Sequence, residues 1–248
     1  MGLLDFLDKE KRRERAIEKN TKRAQQKYGD ASVRTRALYA LRDDGSEAAI
    51  TGLLRRYDVT VEPGITDREE KEWVCETLAA MGERAVGPIE AYIRARDAVT
   101  WPLKALEEIK GPVYTAQFVA KLLERMAGEY QRDHSKKITL MKHLTQLGQR
   151  SEAVTDALVA FLDDMDQDTV IGALEALAAL DEEGRSREAV LALLKEKGEE
   201  HRRIRNSIFE LLAHRAWPVT GYKPTVEALI EEPYYLTGDG IVKRRGRE

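Results

Sequence analysis

The stretch from Asp30 to Leu54 constrains the fold of this chain most strongly, because it predicts two short amphipathic helices joined by a tight turn. Apolar residues recur at helical spacing on both sides of an Asp-Asp-Gly turn. These residues are Val33, Ala37, Leu38 and Leu41, then Ala49, Ile50, Leu53 and Leu54. Gly45 can end the first helix in a left-handed conformation. Each helix has one apolar stripe, so the pair needs neighbours on both sides.

The polar residues beside this pair predict where its helices begin. Asp30 or Ser32 can cap the first helix and Ser46 the second, because a short side-chain oxygen accepts the unpaired amide hydrogens of a first turn. The stretch therefore carries its own start and stop signals.

Five weaker variants of the pair follow, down to about residue 230. In each variant one apolar residue takes the place of Leu41 at the end of the first helix. These residues are Met81, Ile109, Leu147, Leu180 and Leu212. The intervals of 40, 28, 38, 33 and 32 residues are typical of helical repeats with loops of variable length. The alignment places Trp73 and Trp101 on core stripes. It makes Cys75 a packed side chain rather than a nucleophile.

The first helix carries a family resemblance. Asp30, Val33, Arg34, Ala37, Leu38 and Leu41 resemble the D-x-x-V-R-x-x-A-L-x-x-L pattern of HEAT repeats, particularly the bacterial HEAT-like kind. The resemblance implies an all-α solenoid of about six helical hairpins, whose second helices line a concave side. Ile204-Arg205 in the last pair repeats Val33-Arg34.

Three segments follow from this interpretation. Residues 1–29 form a polar capping helix, residues 30–232 the HEAT-like solenoid, and residues 233–248 a short, irregular, basic tail. The apolar residues Leu3, Leu4, Phe6 and Leu7 either dock on the first repeat, which we favour, or anchor the chain to a membrane surface or partner. The tail is a small hairpin around Asp239-Gly240, a cap on the last repeat, or a disordered tag.

Composition narrows the function and the compartment. A net charge of −3 argues against a general affinity for nucleic acid. The single cysteine fits a reducing compartment. No stretch reaches the roughly 18 apolar residues of a membrane span, so we expect a cytoplasmic protein. Peripheral membrane contact through residues 3–7 is the less favoured alternative.

Catalytic motifs are missing from the sequence. The four histidines, at positions 134, 143, 201 and 214, include no pair separated by three or four residues that could bind a metal on one helix face. The chain has no phosphate-binding glycine loop and no G-x-S-x-G elbow. We therefore expect no catalytic residue, metal or cofactor, and a protein that is not an enzyme.

Surface charge gives the remaining functional signal. Basic and aromatic residues lie on the second helices of the first three pairs, and we expect them to contact an unidentified protein partner. They are Arg55, Arg56, Tyr92, Arg94, Lys121 and Arg125. Residues 151–200 contain 14 acidic and 4 basic side chains, a local charge of −10. The sequence thus favours a scaffold or adaptor whose concave face is basic in its N-terminal half and acidic in its C-terminal half.

DNA binding is the main alternative. Some alkylpurine DNA glycosylases have HEAT-like repeats, but such a protein needs a basic cradle and exposed aromatic residues. The core positions of Trp73 and Trp101 and the acidic C-terminal half count against it. Phycobilin lyases also have HEAT-like repeats, but nothing distinctive in the sequence supports a role as a lyase or cofactor chaperone.

Overall fold

The computed structural model describes residues 3–129 and 133–246, with side chains from residue 8 onward. This described part is mostly helical, with twelve α-helices and one two-stranded sheet, which confirms the all-α class. The chain divides into two compact units, Met1–Gly111 and Pro112–Glu248. The docking predicted for Leu3, Leu4, Phe6 and Leu7 concerns side chains outside the described residues.

Unit 1 consists of helices joined by short loops. They are α1 (Leu3–Ala24), α2 (Ala31–Asp44), α3 (Glu47–Leu54), α4 (Gly64–Met81), α5 (Glu83–Ala95) and the first part of α6 (Thr100–Met126). A single 3-10 turn, Arg55–Asp58, follows α3. Helix α6 is interrupted at Gly111, whose φ of 80° lies outside the helical region, as the Gly-Pro sequence predicts.

Unit 2 continues with helices of similar length and ends in a hairpin. Its further helices are α7 (Ser135–Leu147), α8 (Glu152–Val159), α9 (Gln167–Leu180), α10 (Arg187–Lys197), α11 (Arg202–Arg215) and α12 (Lys223–Leu229). The strands are β1 (Tyr234–Leu236) and β2 (Val242–Arg244), which pair antiparallel.

The α2–α3 pair forms as its sequence predicts. Asp30 accepts a hydrogen bond from the Ser32 amide, and Ser46 accepts one from the Ala49 amide. Gly45 is left-handed at φ 60°, and its amide donates to the Leu41 carbonyl. These caps satisfy amide and carbonyl groups that the helix ends leave unpaired.

The end of α7 has the same geometry as the end of α2, and it changes which residue of α7 corresponds to Leu41. Gly148, at φ 63°, donates its amide to the Leu144 carbonyl, as Gly45 does to Leu41. Leu144 is therefore the counterpart of Leu41. The alignment of the helix pairs in the sequence had assigned this position to Leu147, three residues later.

Helix α1 packs against both helices of the first pair. Ala24 is fully buried, and Thr21 faces Gly52, where an added Cβ would lie 2.5 Å from the Thr21 hydroxyl oxygen. The Arg13 guanidinium donates to the Asp44 carboxylate at 2.6 Å, which fixes α1 against the end of α2.

A buried cation recurs near the start of α2, α7 and α11. Arg34 donates to the carbonyl of Gln26, eight residues earlier, and to the Glu70 carboxylate of the next pair. Lys137 donates to a carbonyl eight residues earlier and to Asp164, 27 residues later. Arg205 donates to a carbonyl seven residues earlier and to Glu231, 26 residues later. In each case, one cation joins the preceding segment to the following one.

The buried residues of α4 and α6 differ in part from those that the alignment of the helix pairs predicts. The buried residues of α4 include Val74, Cys75 and Leu78, whereas Trp73 is only half-buried. Met81, Trp101 and Ile109 are half-buried too. Each of these side chains lies at the edge of a stripe, because the neighbouring residues fill the space between the helices.

The C-terminal tail is ordered rather than irregular within the described residues. Tyr234 pairs with Arg244 and Leu236 with Val242 across the two strands. The hairpin covers α11, because Val242 is buried and the Tyr234 ring lies 5.9 Å from the Phe209 ring. Two of the expected alternatives, a hairpin and a cap on the last helices, are therefore the same structure.

Candidate functional site

The predicted contact residue Arg56 is fully buried. Its guanidinium donates to the carboxylates of Asp67 and Glu70, each at 2.8 Å, and to the Val59 carbonyl at 3.0 Å. Burial raises the pKa of Asp67, but hydrogen bonds from Lys71 and Arg56 outweigh it and hold that pKa below its ordinary value. A partner contact needs an exposed guanidinium, whereas Arg56 holds α4 against the 3-10 turn.

Tyr92 is also placed in the interior of unit 1. Its side chain is buried, and its hydroxyl donates to the Asp58 carboxylate at 2.8 Å. Burial, followed by this hydrogen bond to the charged carboxylate, raises the pKa of Tyr92 well above its ordinary value. The edge of its ring lies against Tyr57 at 6.2 Å, so Tyr92 is a packing residue.

The other four predicted contact residues reach the surface of their units. In unit 1, Arg55 is half-buried and pairs with Asp58 at 3.0 Å, while Arg94 is exposed and pairs with Glu90. In unit 2, Lys121 and Arg125 are exposed on the second part of α6. Surface pairs of this kind are worth little energetically, so Arg55 and Arg94 can exchange their partners at small cost.

A cluster on α2 and α4, here called the aromatic–arginine patch, consists of Tyr39, Arg42 and Trp73. The two rings lie 5.0 Å apart. The Arg42 guanidinium carbon lies 4.9 Å from the Tyr39 ring centroid and 5.7 Å from that of Trp73, within cation–π range. Tyr39 is 43% exposed, and 44% of the Arg42 side chain is exposed. The patch is thus prearranged at the surface of unit 1.

A second aromatic–cation contact lies on α6 in the same unit. The Lys104 ammonium is 4.8 Å from the Trp101 ring centroid, with Trp101 half-buried and Lys104 exposed. Neither contact was predicted from the sequence, because both tryptophans were expected in the core. One available signal was Tyr39 and Arg42 at spacing i, i+3, outside the α2 apolar stripe.

The acidic segment of unit 2 is extensively ion-paired. Cations inside and outside residues 151–200 contact its carboxylates. Among the described residues, the pairs include Lys137–Asp164, Arg150–Glu182, Arg185–Asp156, Lys197–Asp163 and Arg203–Asp168. These contacts reduce the field that a local charge of −10 would otherwise produce.

Two other kinds of site, a metal-binding cluster and a membrane-spanning helix, are absent from the described residues. No group of three or more His, Cys, Asp or Glu side chains is arranged to hold a metal ion there. No helix within that part combines the length and the apolar character needed to cross a bilayer. Cys75 is a free, buried thiol whose Sγ donates to the Trp101 carbonyl, which confirms its packing role.

Comparison with models of known protein families gives no match, and a search of curated proteins gives none either.

Proposed function

We propose that the helix pairs are HEAT-like repeats and that the chain is a non-enzymatic scaffold that binds a protein partner. The recurring buried cation supports the first part of the proposal. Arg34, Lys137 and Arg205 occupy equivalent positions in α2, α7 and α11, and each makes the same two kinds of bond. Such recurrence is expected when similar units each contact the next one along the chain.

The aromatic–arginine patch carries the second part of the proposal. Tyrosine, tryptophan and arginine are the residues that most often dominate binding energy at protein interfaces. Here Arg42 lies over two rings that already contact each other in a tilted arrangement, so binding would cost less side-chain entropy than it would for freely rotating groups. We place the main partner contact on this face of α2 and α4.

Arg55 and Arg94 are secondary contacts in this proposal, and Lys121 and Arg125 are contacts on unit 2. Their exposure suits a polar rim, which steers association more than it adds affinity. Arg56 and Tyr92 are left out because they are buried.

The test is quantitative co-purification of tagged full-length protein from its own host. The double variant Y39A/R42A removes the exposed half of the patch and leaves half-buried Trp73 in place. We expect recovery of the specific partner to fall at least about 10-fold, since the loss of one hot-spot side chain costs about 2 kcal/mol or more.

The matched control is Y235A/R245A. Tyr235 is 38% exposed and lies 5.8 Å from the Arg245 guanidinium carbon, so this pair has the same chemistry at the C-terminal hairpin. Partner recovery should stay at the wild-type level for this control. Equal recovery by wild type and Y39A/R42A would refute the patch as the contact surface.

Nucleic-acid binding is the second candidate function. The half-exposed Trp73 and Trp101, each with a cation beside its ring, are an arrangement on which bases can stack. A salt-sensitive shift of single-stranded or duplex DNA that W73A and W101A each weaken would support this candidate. No shift at low salt would exclude it.

A further inference from the structure

Helix α1 carries a row of cations on the side that faces away from the rest of unit 1. Its contacts with the rest of unit 1 involve Arg13, Thr21 and Ala24, and the half-buried Ile17 lies on the same face, since these residues recur at spacings of three and four. The opposite face carries exposed cations at the same spacing, here called the α1 basic stripe. They are Lys11, Arg12, Arg15, Lys19, Lys22 and Arg23.

The stripe is continuous and almost purely basic. One shallow surface depression shows that four of the cations share a face, because its lining consists of Arg15, Lys19, Lys22 and Arg23 together with Glu18 and Gln26. From Lys11 to Arg23 the stripe extends about 18 Å, at a rise of about 1.5 Å per residue. Residues 8–27 as a whole contain nine basic and four acidic side chains, a charge of +5.

Most of these cations have no ion-pair partner among the residues that the structure describes. Lys22 pairs with Glu18 at 2.6 Å. For the other five members of the stripe, the described part of the protein provides no ion pair. The stripe is therefore available to an external anion, and it shares no side chain with the aromatic–arginine patch.

We propose that the α1 basic stripe docks the protein on a bilayer that contains anionic lipids. The stripe offers charge without any apolar or aromatic side chain between its cations, whereas a specific protein interface needs a desolvated apolar or aromatic centre. A lipid surface presents negative charge without a fixed shape, and clustered Lys and Arg side chains on a helix bind such a surface.

The charge of the rest of unit 1 favours a planar partner over a nucleic-acid duplex. Residues 28–111 contain 12 basic and 16 acidic side chains, a charge of −4. A flat bilayer would contact the outward face of α1, whereas Asp44 and Asp58 bind Arg13 and Gln25, which lie outside the stripe. A duplex held in a cradle would approach these acidic side chains and be repelled.

The test uses full-length protein and sedimenting vesicles of phosphatidylcholine, with or without about 30% phosphatidylserine. Wild-type protein should sediment with the anionic vesicles at about 0.05 M salt and be released at about 0.5 M salt, where charges are screened within a few ångströms. The variant R12E/R15E/K19E should bind about 100-fold more weakly or worse, since each cation at an anionic surface contributes several-fold to partitioning.

The matched control is K142E/K195E/K243E. It makes the same change in net charge at three exposed cations of unit 2. It should bind anionic vesicles within about 5-fold of wild type, the contribution of one cation. Circular dichroism should show unchanged helix content in both variants, because all six substituted side chains are exposed.

The proposal would be overturned if wild type failed to bind anionic vesicles at low salt, or if the two variants lost binding equally. Tighter binding to duplex DNA than to the vesicles would overturn it as well. Wild-type binding to pure phosphatidylcholine would also overturn it, since attachment would then not depend on charge. None of these outcomes depends on the scaffold function, which involves other side chains.

Discussion

The substitution Arg56→Met tests how much unit 1 depends on its buried ion network. Methionine keeps a long, flexible side chain of similar reach but removes the charge and every hydrogen-bond donor. Arg56 is fully buried, so water cannot replace the three bonds that its guanidinium donates to Asp67, Glu70 and Val59. The variant leaves the two carboxylates in place without their shared cation.

The expected loss follows from what remains around those carboxylates. Breaking a buried pair by removing one partner costs about 3–5 kcal/mol. Glu70 keeps Arg34 at 3.0 Å, and Asp67 keeps Lys71 at 2.7 Å, so neither charge is left without a cation. We therefore expect the lower end of the range, about 3 kcal/mol. For a unit of this size the unfolding midpoint should fall by about 10 °C or more.

Urea unfolding monitored by tryptophan fluorescence measures this loss. Trp73 and Trp101 lie in unit 1 and Trp217 in unit 2, so a Trp217→Phe background makes the signal report on unit 1. The matched control in that background is Arg94→Met, which removes an exposed guanidinium paired with Glu90. It should cost less than about 1 kcal/mol.

Two results would contradict this reasoning. A loss below about 1 kcal/mol for Arg56→Met would mean that its burial and ion pairs contribute little net stability. A loss for Arg94→Met equal to that of Arg56→Met would mean that burial does not distinguish the two arginines.

Three further predictions concern α1, its ion pair and the single thiol. Gly52→Ala should destabilise unit 1 by about 1–3 kcal/mol, because the new methyl group would lie 2.5 Å from the Thr21 hydroxyl oxygen and 3.0 Å from Leu41 Cδ2; T21A should recover part of this loss in a urea titration, since it removes the closer of the two contacts. A hydrogen bond from Arg13 is the main reason that the pKa of Asp44 falls from 3.8 to about 2. This contribution to stability is therefore complete above about pH 4 and lost as the pH falls to about 2; in Arg13→Met, NMR titration should give Asp44 a pKa raised from about 2 toward 3.8, with the hydrogen bonds from Ser46 still lowering it. Burial, then the Glu108 charge, raises the pKa of Cys75 to about 12, so a thiol reagent at pH 8 should react with it only after unfolding; fast reaction with native protein would contradict the packing.

Local sequence signals predicted the helix boundaries well. Asp30, Gly45 and Ser46 act through bonds to residues at most four positions away, so neighbours in sequence were enough to identify both caps of the first pair. The C-terminal hairpin was one of three alternatives left open. The Asp-Gly turn favours it locally, but its packing on Phe209 depends on residues far away in sequence.

Exposure of charged and aromatic residues was harder to predict. Arg55 and Arg56 are adjacent in a basic run, yet one pairs at the surface and the other is fully buried. The difference arises from Asp67 and Glu70, 11 and 14 residues further along, which fold back on Arg56. Trp73 is half-buried rather than in the core, because Val74 and Cys75 join Thr77 and Leu78 in the buried stripe of α4.

The sequence by itself determined that the chain forms short amphipathic helices and where those of the first pair begin and end, because caps and apolar spacing act within a few residues. The tertiary structure alone decided which cations are internal bonds and which are available to a partner. A charged side chain can be buried only where distant carboxylates and carbonyls satisfy it, and the packing of the helices brings those groups together.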